Sequence, residues 1–110
     1  MSYYIDLQVP ASPEPYYQVK DYSVHCSWNY TKMMMHLPCG WVRDWNHKRA
    51  KELIKPIRES IKELEQNSDK YSQYEADRSR NLGTIEHCRE ILQMCLDNFE
   101  ECPDLEIDIS

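Results

Sequence analysis

The sequence predicts an α+β fold, a small antiparallel sheet of N-terminal strands packed on an antiparallel two-helix hairpin. Three observations predict it. Tyr3, Ile5, Leu7 and Val9 alternate with Tyr4, Asp6 and Gln8, and a second alternation runs from Tyr22 to Tyr30. This is the period of two of a half-buried strand. Ala50, Leu53, Ile54, Ile57, Ile61 and Leu64 recur at helical spacing, and so do Ile85, Leu92 and Phe99 with Cys88, Cys95 and Cys102. Finally, 110 residues suffice for one core. The expected organisation is a single domain, 1–110, with a strand region at 1–40 and a helix at 44–66. A loop at 65–82, an acidic amphipathic helix at 84–102 and an acidic tail at 103–110 follow.

The first strand ends at Pro10, and the three prolines of Pro10–Pro15 make a stiff connector. In the second alternation Tyr22, Val24, Cys26, Trp28 and Tyr30 share one face, which predicts the central strand of the sheet. Residues 16–20 or the segment Met33–Leu37 would supply a third strand. Asp44 or Asn46 is the expected N-cap of the first helix. Pro56 either kinks that helix or restarts it, because it lacks an N–H and crowds the carbonyl of Glu52. The polar stretch 65–82 is long for a connection, so it is expected to be functional or mobile. Thr84 is the expected N-cap of the second helix and Pro103 its stop. Leu105–Ile109 alternates again and would form an edge strand or a free segment.

The cysteine spacing limits what the thiols can do. Seven residues of helix rise about 10.5 Å, beyond the ~7 Å Cα separation that a disulfide can close. Cys88, Cys95 and Cys102 are therefore expected to act as small buried hydrophobes. Five cysteines, an odd number, fit a reducing compartment rather than a disulfide scaffold. The N-terminus has no basic segment followed by an apolar run, and no wholly apolar run, Met33–Met35 included, exceeds three residues. A cytoplasmic protein without membrane insertion is the expectation.

Net charge is −6, and residues 83–110 carry eight acids against Arg89 alone. That surface repels nucleic acid and attracts basic proteins. Glu86, Glu90, Asp97, Glu100 and Glu101 line the outer face of the second helix, and Asp104 extends the row. Glu86–Glu90 and Asp97–Glu101 are like-charge i, i+4 pairs, and Glu100 and Glu101 sit where the helix dipole disfavours anions. Local rules broken repeatedly in one element mark a place where function is expected.

The order of elements and several phrases resemble small accessory proteins of bacteriophages and prophages, a group with no assigned activity. The resemblance rests on Ser2-Tyr3-Tyr4-Ile5-Asp6-Leu7, on Trp28-Asn29-Tyr30 closing a strand, on Pro56 within a helix, and on Gly83 before a helix closed by Pro103-Asp104. It lapses after Tyr30, at the methionine triplet and Cys39-Gly40-Trp41. It implies an origin in a mobile element and action by binding host or defence proteins; no catalytic residue carries over.

Other constellations are weaker. His25, Cys26, His36, Cys39 and His47 are zinc-type ligands, but His25 and Cys26 point to opposite faces of a strand and no paired C-x₂-C knuckles are present. His87 and Cys88 lie about 100° apart on a helix, the wrong geometry for a nucleophile and its base. Two glycines leave no phosphate-cradling loop. No enzyme, cofactor or metal is expected. Trp41 and Trp45, at i, i+4, form either a packed corner or an aromatic anchor for a partner. Lys51, Lys55, Arg58 and Lys62 make a basic stripe on the first helix, read as a solvated face because Glu52, Glu59 and Glu63 lie close by.

The function expected from these features is non-enzymatic binding. The acidic helix would occupy a basic, nucleic-acid-handling surface of a host or defence protein and so inhibit it, as an anti-CRISPR does. A self-associating packaging accessory using the cysteine seam, and a small-ligand binder using loop 65–82, are the alternatives.

Overall fold

The computed structural model describes residues 1–9 and 22–110. Its sheet has three antiparallel strands, β1 (Ser2–Gln8), β2 (Val24–Ser27) and β3 (Glu106–Ile109), in the order β2-β1-β3. Ser2 lies opposite Ser27 on one side of β1, and Asp6 lies opposite Asp108 on the other. Ile5 and Leu7 project into the core from β1, while Ile107 does so from β3.

The central strand is therefore β1, and the alternation expected to make residues 22–30 central yields only the short edge strand β2. Its pattern breaks at Ser27, whose hydroxyl accepts from the Asn29 N–H at 3.2 Å and opens a 3-10 turn over Trp28–Tyr30. Helix α1 (Thr31–Met35) follows directly. It overturns the reading of Met33–Leu37 as a strand, because Met33 and Met34 are both fully buried. Neighbours on a strand face opposite ways, whereas neighbours on a helix can share a buried sector. The third strand comes from the C-terminal tail instead. The connector Pro10–Pro15 and residues 16–20 lie outside the described residues.

Helix α2 (Ala50–Gln66) begins later than Asp44 or Asn46. Val42–Trp45 is a 3-10 turn, and Asn46 is occupied in accepting the Ile109 N–H at 3.0 Å. The next residues edge β3: His47 N–H donates to Ile107, and Ile107 N–H donates to Lys48. The first amides of α2 then find carbonyls in the tail, Ala50 on Leu105 at 2.8 Å and Lys51 on Pro103 at 2.9 Å. The orphan donors of a helix start thus pin the C-terminal tail in place. Pro56 stays inside one continuous helix. Ser60, fully buried, donates to the Pro56 carbonyl at 2.8 Å and accepts the Cys39 N–H at 2.9 Å.

The stretch 65–82 has structure of its own: α3 (Ser68–Tyr71), 3-10 turns at Ser72–Tyr74 and Arg78–Arg80, and a bridge between Asp77 and Leu82. Tyr71 is buried and donates its hydroxyl to Glu63 at 3.1 Å. Helix α4 (Ile85–Glu101) starts where expected, with the Thr84 hydroxyl accepting from His87 N–H at 3.4 Å. Glu75 reaches in from the preceding stretch and accepts the Ile85 N–H at 2.9 Å. The pairs Lys51–Asp104 and Arg58–Glu100 establish that α2 and α4 run antiparallel.

Gly83 holds this start together. It has φ +62°, and a Cβ there would lie 2.6 Å from the Asn29 carbonyl oxygen. Gly83→Ala is expected to cost about 1–3 kcal/mol in left-handed backbone strain, with displacement of Asn29 adding to it. Chemical denaturation checks this; a midpoint equal to wild type would show that the turn yields without strain.

A candidate interaction surface on the acidic helix

The seam of α4 faces inward. Cys88, Leu92, Cys95 and Phe99 are buried against α2 and the sheet, while Cys102 at the last turn is half-buried. Burial pushes the Cys88 and Cys95 thiols well above their ordinary range, and raises Cys26 to about 12 and Cys39 to about 11. These groups are inert in the folded protein, because the thiolate is the reactive form. A thiol reagent is expected to modify Cys102 first, and Cys88 and Cys95 only as the protein unfolds; prompt labelling of both would mean an open seam. The sign of the pH dependence follows. Unfolded thiols ionise near 9.0, whereas the folded ones hold their protons to higher pH. Stability is thus full below pH 9.0 and falls as pH rises toward 12.

With the seam inside, charge is what α4 presents outward. Glu86, Glu90, Asp97, Glu100 and Glu101 are all exposed, and so is Asp104. The compensation that the sequence concealed comes from elsewhere in the chain. The Arg58 guanidinium donates to Glu100 at 2.6 Å, and Lys51 lies 3.3 Å from Asp104. The basic stripe of α2 therefore flanks the acidic stripe of α4. Arg78 binds both Glu75 at 2.8 Å and Glu86 at 3.1 Å. Hydrogen bonding to its own backbone N–H, and then to Arg78, pulls the Glu86 carboxyl below the ordinary carboxylate range. The expectation of an unrelieved row is corrected: half of its six acids have a basic partner.

Glu90, Asp97 and Glu101 remain. Among the described residues none of them has an ion-pair partner within 4.0 Å. Asp97 accepts from the Gln93 amide at 2.9 Å. Glu101 lies by Tyr22, whose carbonyl accepts from Asn98 at 3.2 Å. Hydrogen bonding to Cys102 and then Glu101 pushes the Tyr22 hydroxyl pKa up.

The two tryptophans part company. Trp45 is 1% exposed, donates its indole N–H to the Cys39 carbonyl at 2.8 Å and meets Phe99 edge-on. It belongs to the packed corner and offers no surface to a partner. Trp41 is half-buried with its ring edge-on to Tyr3 at 5.3 Å. The potential metal ligands are dispersed: His25 packs on Tyr4, His36 stacks on Tyr74, and His47 lies by Glu106, while Cys26 and Cys39 are in the core.

A second surface feature lies on the stretch 65–82, which the sequence offers as a small-ligand site without naming the residues that would form it. Trp28, 44% exposed, forms one wall of a cleft of about 440 Å³ whose other wall is the turn around Tyr74. The length and polarity of 65–82 point to one wall; the other, at Trp28–Lys32, lies more than forty residues away along the chain and has no local signal. No helix among the described residues is long and apolar enough to cross a membrane. Comparison with protein-family models, curated proteins and solved structures finds no match.

Proposed function

We propose that the protein is a non-enzymatic binding protein whose α4 outer face engages a basic surface on another protein. The observation that carries the reading is the exposed row Glu90, Asp97 and Glu101, none of which has an ion-pair partner within 4.0 Å among the described residues. Spaced at seven and four residues, the three span about 16 Å of helix, enough to meet several phosphate-binding groups. A protein that handles nucleic acid is the natural target, since such surfaces gather Lys and Arg to meet phosphates. We take that target to be a host or defence protein, as the resemblance to phage accessory proteins implies, with inhibition by occupancy as the outcome. Glu100, Asp104 and Glu86 contribute field rather than contacts, because their carboxylates already have basic partners. Self-association through the cysteine seam has little to recommend it while Cys88 and Cys95 are covered.

The test is capture from host lysate on immobilised protein at low and at high salt, with mass spectrometry of what is retained. The expected partner is basic and is lost as salt rises, because attraction between exposed charges is screened beyond ~10 Å at 0.1 M. Capture that survives high salt undiminished would count against an electrostatic face.

A further inference from the structure

The cleft between the Trp28 turn and the Ser72–Ala76 segment has the composition of a small-ligand site. Its volume of about 440 Å³ is within the range of pockets that hold one small molecule. Both aromatic walls are braced from behind. Trp28 stacks on Tyr3 with centroids 5.7 Å apart, and Tyr74 stacks on His36 at 4.2 Å. A ring fixed this way loses little freedom on binding and offers a ready stacking platform.

The described lining carries one ammonium, two amides, one carboxylate and the Thr31 hydroxyl, which donates to the Trp28 carbonyl at 2.6 Å. Lys32 is exposed and has no ion-pair partner among the described residues. Asn29 presents a side-chain amide, and Gln73, which donates to the Lys70 carbonyl, keeps its amide oxygen free to accept. Among the described lining residues the one carboxylate, Glu75, is spent: its side chain is 4% exposed, bound by Arg78 and by the Ile85 N–H. What faces the cleft is therefore an aromatic surface, an ammonium group and amides suited to the edge of a heterocycle.

We propose that this cleft binds a planar aromatic ring carrying an anionic group, the chemistry of a nucleoside monophosphate, with the ring against Trp28 and the anion at Lys32. A purely apolar ligand would leave Lys32 unused. A neutral sugar would likewise leave the Lys32 charge without a counter-charge. A free nucleotide and the end of a single strand share this chemistry. The proposal is independent of the acidic face of α4, since Glu90, Asp97 and Glu101 do not line the cleft.

The test is an amide-resolved NMR titration of the full chain with AMP, GMP, CMP and UMP, with adenosine and a short single-stranded oligonucleotide as further arms. Saturable shifts confined to the amides of Asn29, Lys32, Tyr74 and Ala76 are expected with at least one nucleotide. Lys32→Gln, at an exposed position, should keep the fold and weaken binding about tenfold, the loss of a charge-assisted contact. Adenosine should bind more weakly than AMP. Tighter binding of the oligonucleotide than of any mononucleotide would assign the site to a strand end, and weaker binding to a free nucleotide; both support the proposal. Absence of saturable shifts with all four nucleotides, an unchanged affinity in Lys32→Gln, or adenosine binding as well as AMP would overturn it.

Discussion

Trp45→Ala is expected to lower the free energy of unfolding by about 3–5 kcal/mol, a large share of the ~5–15 kcal/mol that holds a domain together. Two separate losses make up that figure. The indole is 1% exposed and meets Phe99 edge-on at 6.2 Å, so its removal opens a cavity between the 3-10 turn at Val42–Trp45 and α4. Its N–H also serves the Cys39 carbonyl at 2.8 Å, and the Cys39 N–H is held in turn by the buried Ser60 hydroxyl. Trp45→Phe separates the terms: it keeps most of the ring but leaves the carbonyl without its donor, at a cost of about 1–3 kcal/mol. Far-UV circular dichroism during chemical denaturation measures both variants. A midpoint for Trp45→Ala equal to that of wild type would return Trp45 to the surface and to the aromatic-anchor reading.

The contrast between Trp45 and Trp41 marks where sequence reasoning loses resolution. Their spacing put both in one corner, but spacing carries no information on what covers that corner. Trp45 is sealed by Phe99, more than fifty residues away, a contact that no local pattern encodes. The helices were legible for the opposite reason. The apolar positions of α2 and α4 repeat within the element itself, so Leu53, Ile57, Leu64, Ile85, Leu92 and Phe99 all proved to be core. Strand order was not legible. Residues 22–30 alternate for longer than β2 extends, because a strand pattern persists on paper through a turn that a serine hydroxyl and three 3-10 residues create. The alternation of the tail fits an edge strand and a free segment equally well. What decides between them is the set of amides at Asn46–Lys51, which bind residues 103–109 only once the chain has folded back on itself.

The acidic face shows the same limit. Its like-charge neighbours were visible along α4, and the basic stripe was visible along α2. That the two stripes adjoin follows from the antiparallel packing of the helices, seen in Arg58–Glu100 and Lys51–Asp104. Arg78, in the stretch expected to be a loop, neutralises the start of the row through Glu86 while binding Glu75. A part of the apparent frustration of α4 is thus resolved by tertiary structure, and the functional reading contracts to the acids that pair with no cation among the described residues.

Reversing those residues together, with Glu90→Lys, Asp97→Lys and Glu101→Lys, is expected to abolish partner capture while leaving the fold intact. Exposed substitutions away from caps and cores move stability by less than about 0.5 kcal/mol each, and all three positions are exposed. The Glu101 change gives up the hydrogen bond with the Tyr22 hydroxyl, and in exchange places a cation in the last turn of α4, where the helix dipole welcomes one. Against a basic partner the same change turns attraction into repulsion at three points of contact. The effect is expected first in the association rate, because long-range charge steers the encounter. Biosensor kinetics with the captured partner, and circular dichroism of the variant, read the two halves of the expectation separately. A matching reversal on α2, Lys55→Glu with Lys62→Glu, changes exposed charge on the other helix and is expected to leave capture in place. A folded triple variant that binds as wild type would remove the acidic row from the interaction, and Glu90, Asp97 and Glu101 would then serve solubility alone.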